Sequence, residues 1–222
     1  MRIRRKKHLK ERLLAVSDYV LIAERDIVNV KEAIKDKKYI DYSKLFGNNN
    51  PVELEIGCGK GGFIIEKAKR NPNINFIAVE LLENIIVMAA ENAKNEKLTN
   101  LKFLNSGADY LPRYISDISI DNIYLNFSPP YPQKVHEMRR LTCPRLLNNY
   151  KSFLKDGGNI YQKTDDKEFF DYSYEKLVES GFEVFDVSEM IKNGDIDNIK
   201  TEYECKFLAL GLNVYGLIAK KV

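Results

Sequence analysis

Three glycines separated by single residues follow the apolar run Val52–Ile56. Gly57, Gly59 and Gly61 come where that run stops, and helical character resumes at Phe63. Glycine adopts backbone angles that are closed to other residues and lets a ligand approach the main chain. The first amides of the helix that follows then face the ligand. The stretch therefore predicts a strand, a glycine turn and a helix that together hold a cofactor.

The spacing of these glycines discriminates among known ligand-binding turns. No Gly-x-x-x-x-Gly-Lys-Ser/Thr pattern runs through them, which argues against a P-loop. The dinucleotide fingerprint fits poorly, because its third glycine would have to be Gly62 and not Gly61. Glu55 completes a Glu-x-Gly-x-Gly-x-Gly pattern that resembles motif I of Rossmann-like S-adenosylmethionine methyltransferases. A dinucleotide site and a purely structural turn remain as alternatives.

Polar side chains end the next predicted strands, where ligands bind in open parallel sheets. Glu55 ends the first strand, and since an unpaired buried carboxylate is costly, we expect it to meet the amino end of the cofactor. Glu80 ends the second strand, 23 residues after Gly57, where a carboxylate can accept both hydroxyls of a ribose. Asn105 or Ser106, after the third strand, is predicted to contact adenine. The alternative for Glu80 is an ordinary surface acid.

A proline-rich turn follows the fourth predicted strand. The segment that begins at Asn126 reads Asn-Phe-Ser-Pro-Pro-Tyr-Pro-Gln-Lys and runs on to His-Glu-Met-Arg-Arg-Leu-Thr. It resembles the bacterial tRNA (guanine-N7)-methyltransferases, whose strand four ends in Asn-Phe-Ser-Asp-Pro-Trp-Pro-Lys-Lys and continues to His-x-x-Arg-Arg-Leu-Thr. Other segments similar to that family, in the same order, are Met1-Arg2-x-Arg4, Leu54 to Gly61, Glu80-Leu81, Lys163-Thr164-Asp165-Asp166 and Thr201-Glu202-Tyr203-Glu204.

The resemblance implies methyl transfer from S-adenosylmethionine to N7 of a guanine in the variable loop of tRNA. Ser128 would join the cofactor-binding residues, and Pro129, Tyr131 and Asp165 would surround the methyl transfer. The implied substrate-binding residues are Gln133, Lys134, Arg139, Arg140, Asp165, Thr201, Glu202, Tyr203 and Glu204.

Three residues depart from the family pattern. Pro129 stands where the family has Asp, Tyr131 where it has Trp, and Gln133 where it has the first Lys. Guanine N7 has an in-plane lone pair and no proton, so its methylation needs alignment and nearby negative charge more than a general base. We therefore hypothesise that the Ser128–Tyr131 turn still forms the wall for methyl transfer. The alternatives are a tRNA-binding protein that has lost catalysis through Pro129 and an NAD-type oxidoreductase.

Positive charge is concentrated in two places. Residues 1–12 contain seven basic residues and one acidic residue, a net charge of +6, so the rest of the chain carries −3 of the total +3. A second cluster follows the proline-rich turn and consists of Lys134, His136, Arg139, Arg140 and Arg145. Both sets predict contacts with RNA phosphates, against the alternative of solvated, ion-paired surfaces.

The elements that must position these residues alternate between strand and helix along the 222-residue chain. This alternation predicts an α/β fold: a mostly parallel, seven-stranded sheet of the Rossmann-like methyltransferase class. We expect a closing antiparallel hairpin of Cys205–Leu210 and Asn213–Lys220, and helical structure over Asp18–Lys38. The predicted boundary separates a basic arm and helical extension, 1–50, from a methyltransferase domain, 51–222.

The composition indicates the class of protein and its cellular compartment. Charged residues make up 30% and apolar residues 44%, as in ordinary globular proteins, and no apolar run is long enough to span a membrane. The three scattered cysteines favour reduced thiols in the cytoplasm. Neither they nor the two histidines have the spacing of metal ligands.

Overall fold

The structure is a computed structural model that describes residues 7–23, 29–194 and 198–222, except for the side chains of Glu202 and Lys206. Arg2, Arg4, Arg5 and Lys6 of the predicted basic arm therefore lie outside the described residues. The chain forms two compact units, Met1–Tyr114 and Ile115–Val222. We call them the first unit and the second unit.

The first unit contains four strands and six helices in its described part. The strands are β1 (Val20–Ile22), β2 (Val52–Ile56), β3 (Asn75–Val79) and β4 (Leu101–Asn105). The helices are α1 (Leu9–Ala15), α2 (Val30–Ala33), α3 (Tyr42–Phe46), α4 (Gly62–Arg70), α5 (Glu83–Asn95) and α6 (Leu111–Tyr114), with a 3-10 turn at Ala108–Tyr110.

The strands of the first unit lie in the order β1-β4-β3-β2, and each neighbouring pair is parallel. Every residue of β2 and β3 is buried, as expected for strands that are covered on both faces. The parallel register sets Ile56 beside Val79 and Val79 beside Leu104, so the ends of these three strands meet at one edge. The glycine turn, Glu80 and Asn105 follow at that edge.

The segment Asp18–Lys38 differs from the helix that its apolar spacing predicts. Residues Val20–Ile22 form strand β1, which pairs in parallel with Phe103–Asn105 of β4, and only Val30–Ala33 of the rest is a described helix. The physical reason is the open edge of β4, whose main-chain groups need partners. With β1 the described chain has eight strands, one more than expected.

The second unit contains four strands and four helices in its described part. The strands are β5 (Ile120–Asn126), β6 (Leu154–Thr164), β7 (Phe182–Asp186) and β8 (Tyr215–Lys221). The helices are α7 (Pro144–Phe153), α8 (Lys167–Glu179), α9 (Ser188–Asn193) and α10 (Glu202–Ala209), with a 3-10 helix at Lys134–Arg139. Strand order is β5-β6-β8-β7, with β5 parallel to β6 and β8 antiparallel to both β6 and β7.

The predicted hairpin is wrong in its first half. Residues 205–210 do not form a strand, because they belong to α10 and the turn after it. Thr201 and Glu204 begin that helix with reciprocal bonds, Glu204 N to Thr201 Oγ1 at 3.0 Å and Thr201 N to Glu204 Oε2 at 3.4 Å. This is a capping box, which starts a helix in spite of the alternating apolar residues that follow. The antiparallel strand itself, β8, lies where the sequence predicts it.

No helix in the described ranges combines the length and the apolar character required to span a bilayer.

Candidate active site

The glycine turn of the first unit has the backbone that its sequence predicts. Gly57, Gly59 and Gly61 all have positive φ, at 83°, 56° and 82°. A Cβ at Gly59 would meet no atom within 4 Å, so the main chain there borders open space. A Cβ at Gly61 would lie 3.1 Å from Ala89 Cβ, so this glycine permits the close packing of α4 on α5. Helix α4 begins after Gly61, a residue that has no side chain to cap it.

Glu80 is held against this turn by its own carboxylate. Its Oε2 accepts a hydrogen bond from Gly59 N at 3.2 Å, and its Oε1 accepts one from Leu82 N at 2.9 Å. Burial, as the largest influence, raises the pKa of Glu80, although both amides act in the opposite direction. Each carboxylate oxygen has a further lone pair, so a fixed pair of acceptors remains for two hydroxyl donors.

Glu55 and Cys58 lie in the interior beside the same turn. Both are buried. Burial first, and then the negative charges of Glu55 and Glu80, raise the pKa of the Cys58 thiol well above its ordinary value. The thiol therefore stays neutral, and the two carboxylates act on the same small region, as their positions at neighbouring strand ends predict.

Asn105 and Ser106 are buried at the end of β4. Asn105 Nδ2 donates to the carbonyl oxygens of Glu80 and Leu81, at 2.9 and 3.1 Å. Ser106 Oγ donates to Gly107 O at 3.3 Å. Asn105 thus fixes the main chain around Glu80, and its predicted contact with adenine stays a prediction.

The described part of the basic arm is tied to the first unit. Arg12 forms a two-pronged ion pair with Glu91 of α5, with Nε–Oε1 at 2.7 Å and Nη2–Oε2 at 2.6 Å. The hydrogen bond to Glu91 is the largest of the influences that raise the pKa of Arg12. Lys7 and Lys10 remain exposed. The charge of Arg12 is therefore already balanced, whereas those two lysines can face a polyanion.

In the second unit, the turn after β5 has an unusual backbone. Phe127 and Tyr131 both have positive φ, at 48° and 44°, which is uncommon for residues other than glycine and is strained for bulky side chains. Between them Ser128 is buried, and its Oγ has no hydrogen-bond partner among the described residues. Pro129 is exposed and Tyr131 is half-buried. Strain and an unsatisfied buried hydroxyl at one turn are features of a ligand site.

Aromatic rings cover the strained residue at the start of this turn. Phe127 stacks on Tyr203 at 6.4 Å and on Phe207 at 6.2 Å between ring centroids. Tyr203 is 61% exposed although it belongs to this stack. The predicted substrate-binding Tyr203 thus presents a ring beside the turn, and Phe207 supports it from the next turn of α10.

A buried ion pair connects two of the motifs. Lys163 Nζ donates to Glu204 Oε2 at 2.6 Å, and also to Asn198 Oδ1 at 2.9 Å and Ile199 O at 3.0 Å. Glu204 Oε1 accepts a hydrogen bond from Asn198 Nδ2. Both oxygens of the fully buried Glu204 are therefore engaged within the chain. Sequence reasoning placed Lys163 in a family motif without assigning it a role, and it did not single out Asn198. The Thr-x-x-Glu spacing of a capping box was the available signal that Glu204 turns toward the start of its own helix.

Asp165 has the opposite environment. It follows β6 directly, is exposed, and makes no hydrogen bond or ion pair with any described residue. Asp166, next in the chain, caps α8 by accepting from Phe169 N at 2.8 Å. Because β5 and β6 are parallel with Asn126 beside Lys163, Ser128 and Asp165 follow their strands at the same edge. An open carboxylate and the strained turn are thus brought together within the second unit.

The predicted cationic cluster divides into outward and inward side chains. Gln133, Lys134 and Arg139 are exposed. Arg140 is half-buried and donates from Nε to Pro130 O at 2.8 Å and from Nη2 to Tyr131 O at 3.1 Å.

Of the predicted substrate-binding residues, Thr201 is buried as a helix cap, and the side chain of Glu202 lies outside the described residues. No group of three or more His, Cys, Asp or Glu side chains within the described ranges is arranged to hold a metal ion.

The fold resembles solved methyltransferases. The chain aligns with the 16S rRNA methyltransferase KamB at a TM-score of 0.61, with 15% identity over 83% of this chain and 95% of that one. It aligns with an antibiotic-related methyltransferase at a TM-score of 0.58, with 17% identity over 88% of this chain and 95% of that one. These likenesses confirm the predicted fold, a mostly parallel Rossmann-like sheet of the class I S-adenosylmethionine-dependent methyltransferases.

Sequence comparison is more specific. A family described as "Putative methyltransferase" matches residues 49–217. The chain is 42% identical to the tRNA (guanine-N(7)-)-methyltransferase of Geobacillus sp. (strain WCH70) over 216 residues, covering 97% of this chain and 93% of the relative. It is also 42% identical to the corresponding enzyme of Bacillus subtilis (strain 168) over 78% of this chain and 82% of the relative. The chain therefore belongs to the tRNA (guanine-N(7)-)-methyltransferase family.

Proposed function

We propose that the protein methylates N7 of a guanine in tRNA, with S-adenosylmethionine as the methyl donor. The observation that carries this proposal is the pair formed by the strained Ser128–Tyr131 turn and the open carboxylate of Asp165, which follow neighbouring parallel strands. The names of the relatives specify the substrate, and the residues of this chain supply groups that suit the reaction.

The first unit provides groups that fit the cofactor. Glu80 presents two fixed acceptors for the hydroxyls of a ribose, and Gly59 leaves open space at the main chain. The N-terminal end of α4 suits a carboxylate, and buried Glu55 suits an ammonium group. S-adenosylmethionine contains all three groups and supplies a methyl group that is bonded to a positively charged sulfur.

The second unit provides groups that suit the base. N7 of guanine attacks through its lone pair and loses no proton, so no residue has to act as a general base. Positive charge develops on the base during the transfer, and a nearby carboxylate stabilises it. Of the predicted substrate-binding acids whose side chains are described, Asp165 is open, whereas Glu204 is occupied by Lys163 and Asn198. We therefore assign stabilisation of the base to Asp165 and positioning of the C-terminal segment to Glu204.

Exposed cations supply the remaining interactions with tRNA. Lys134 and Arg139 are exposed and make no hydrogen bond or ion pair with the described residues, so both can contact phosphates without breaking an internal bond. We also propose that the methyltransferase domain begins near residue 51, since the family match begins at residue 49. The free cysteines Cys58, Cys143 and Cys205 support a cytoplasmic location.

The test is incubation of the protein with labelled S-adenosylmethionine and an unmodified tRNA transcript, followed by nucleoside analysis. We expect 7-methylguanosine at a single guanine, and none in a transcript in which that guanine is replaced by adenine. Binding of cofactor and tRNA without product would overturn the proposal and indicate a tRNA-binding protein that lost catalysis with Pro129. Binding of NAD in place of S-adenosylmethionine would indicate an oxidoreductase.

A further inference from the structure

Arg139 and Arg140 are adjacent and carry the same charge, at the end of the 3-10 helix Lys134–Arg139, yet their environments differ. Arg139 is exposed and makes no hydrogen bond or ion pair with the described residues. Arg140 is half-buried, and its guanidinium reaches back to the main-chain carbonyls of Pro130 and Tyr131. The role of Arg140 therefore depends on its hydrogen bonds to the main chain as well as on its charge.

The two carbonyls belong to the strained part of the Ser128–Tyr131 turn. Tyr131 has φ of 44°, a conformation that is strained for a bulky side chain and persists only where its surroundings impose it. The planar guanidinium binds both neighbouring carbonyls at once, from Nε and Nη2. This pair of bonds fixes the direction of the peptide at the end of the turn.

The other face of Arg140 is held by aromatic rings of α8. Its Cζ lies 4.2 Å from the ring centroid of Tyr172 and 6.0 Å from that of Phe169. Burial, foremost, and the negative charge of Glu137 raise the pKa of Tyr172 to about 12, so the ring under the guanidinium is neutral at physiological pH. Arg140 is thus fixed on one side by stacking and on the other by hydrogen bonds.

We propose that Arg140 is a positioning residue for methyl transfer, which holds the Ser128–Tyr131 turn in its strained conformation through the carbonyls of Pro130 and Tyr131. This inference rests on the proposed function, because the turn is assigned to methyl transfer there. It replaces the sequence-based expectation that Arg140 contacts a phosphate as Arg139 does. Tyr172 supports Arg140 through its ring face and not through its hydroxyl.

The test compares Arg140→Lys with Arg139→Lys, and Arg140→Ala with Arg139→Ala. Arg140→Lys keeps the charge and loses the planar fork. We expect kcat to fall at least tenfold in Arg140→Lys and more in Arg140→Ala, with Kd for tRNA within about twofold of the wild type. The dependence of tRNA binding on salt stays unchanged in both. Arg139→Ala is expected to weaken tRNA binding and to lower the slope of log K against log salt by about 0.7–0.9, the effect of one phosphate contact.

Two variants of Tyr172 provide a second, independent comparison. Tyr172→Phe retains the ring and is expected to match the wild-type rate, whereas Tyr172→Leu lowers kcat in the same direction as Arg140→Lys. Hydrogen exchange followed by mass spectrometry adds a readout that does not need activity. The peptide that contains Ser128–Tyr131 exchanges faster in Arg140→Lys and at the wild-type rate in Arg139→Lys.

Three results would overturn the inference. One is an Arg140→Lys variant with wild-type kcat. The second is an Arg140→Ala variant whose main defect is a salt-dependent loss of tRNA affinity, which would make Arg140 a phosphate ligand. The third is unchanged exchange at the turn. A wild-type protein that produces no 7-methylguanosine refutes the proposed function instead, and the exchange data still decide whether Arg140 holds the turn.

Discussion

Lys163 and Glu204 form a buried ion pair of 2.6 Å that joins the end of β6 to the start of α10. The lysine side chain is 10% exposed and the glutamate side chain is fully buried, and each makes further bonds to Asn198. Removing one partner of such a pair leaves an uncompensated charge in the interior, which is more costly than never having had the pair. The motifs that contain Lys163 and Glu204 are separate in the sequence, and this ion pair joins them in the structure.

Lys163→Met is therefore expected to lower the free energy of unfolding by about 3–5 kcal/mol. Chemical denaturation of the wild type, Lys163→Met, Glu204→Leu and the double variant measures this cost. The double variant should lose less than the sum of the single variants, because no charge is left unpaired. Lys167→Met is the control, since its ion pair with Asp171 is exposed on both sides. Additive losses would contradict the interpretation.

The capping box gives a more local prediction. Thr201→Ala removes the side chain that accepts from Glu204 N, and its expected cost is about 1 kcal/mol. Thr201→Ser keeps the hydroxyl and should retain the wild-type stability. Hydrogen exchange should show faster exchange in Glu202–Ala209 for the alanine variant, with β6 unaffected. Equal protection of α10 in both variants would show that Thr201 does not begin the helix.

The sequence predicted most elements of the first unit, because nearby glycine and proline residues mark where those elements begin and end. Gly61 ends the turn and Gly62 begins α4, while Pro72 stands just beyond the end of the helix at Arg70. Strand β1 could not be predicted in this way. Three residues have too little periodicity of their own, and their conformation is fixed by pairing with β4, which is distant in the sequence.

In the candidate site, too, some features follow from the local sequence and others depend on tertiary contacts. The types and strand-end positions of Glu80 in the first unit, and of Ser128 and Asp165 in the second unit, predict where polar groups lie within each unit, because parallel strands end at one edge. The partners of long side chains were not predictable. Arg140 and Arg139 have the same sequence signal, and only the tertiary structure turns one toward main-chain carbonyls. Likewise Glu204 matches a substrate-binding motif, but both of its carboxylate oxygens accept hydrogen bonds from Lys163 and Asn198 inside the protein.

Glu80 predicts a pH dependence of cofactor binding. Burial raises its pKa above the ordinary value, so the native state binds this proton more tightly than the unfolded chain does. The buried charge therefore lowers stability as pH rises from the ordinary pKa of about 4.3 through the raised one. Ribose hydroxyls donate to the ionised form, so affinity for S-adenosylmethionine should fall as pH drops through the raised pKa. Calorimetric titration across this range measures the effect.

Glu80→Gln should bind the cofactor weakly and without that pH dependence. Glu66→Gln is the control, because Glu66 lies in α4 and pairs on the surface with Arg70. It should retain the wild-type profile. A wild-type pH dependence in Glu80→Gln would assign the titration to another group.

Ser128 offers a distinction between a ligand contact and a structural bond. Its buried Oγ has no partner among the described residues, whereas the buried Ser173 Oγ bonds to Gln162 Nε2 at 2.9 Å and to Thr142 Oγ1 at 2.8 Å. Ser173→Ala should therefore destabilise the protein by about 1–3 kcal/mol, and Ser128→Ala should leave its stability equal or slightly higher. Ser128→Ala should also weaken cofactor binding about tenfold, the loss of one hydrogen bond of roughly 1.4 kcal/mol. Thermal unfolding with and without S-adenosylmethionine tests both, and a destabilised Ser128→Ala with normal binding would refute the ligand role.

Asp165 and Asp166 provide a matched pair for the chemical step. Asp165 is exposed and has no partner among the described residues, whereas Asp166 accepts from Phe169 N as the cap of α8. Asp165→Asn should lower kcat by roughly 10²–10³-fold, because the carboxylate no longer stabilises the charge that develops on guanine. Asparagine caps helices as well as aspartate does, so Asp166→Asn should keep both stability and rate. Single-turnover methylation with saturating tRNA and cofactor isolates this step. If the two variants lose activity equally, the loss reflects the local structure after β6, and a group other than Asp165 stabilises the base.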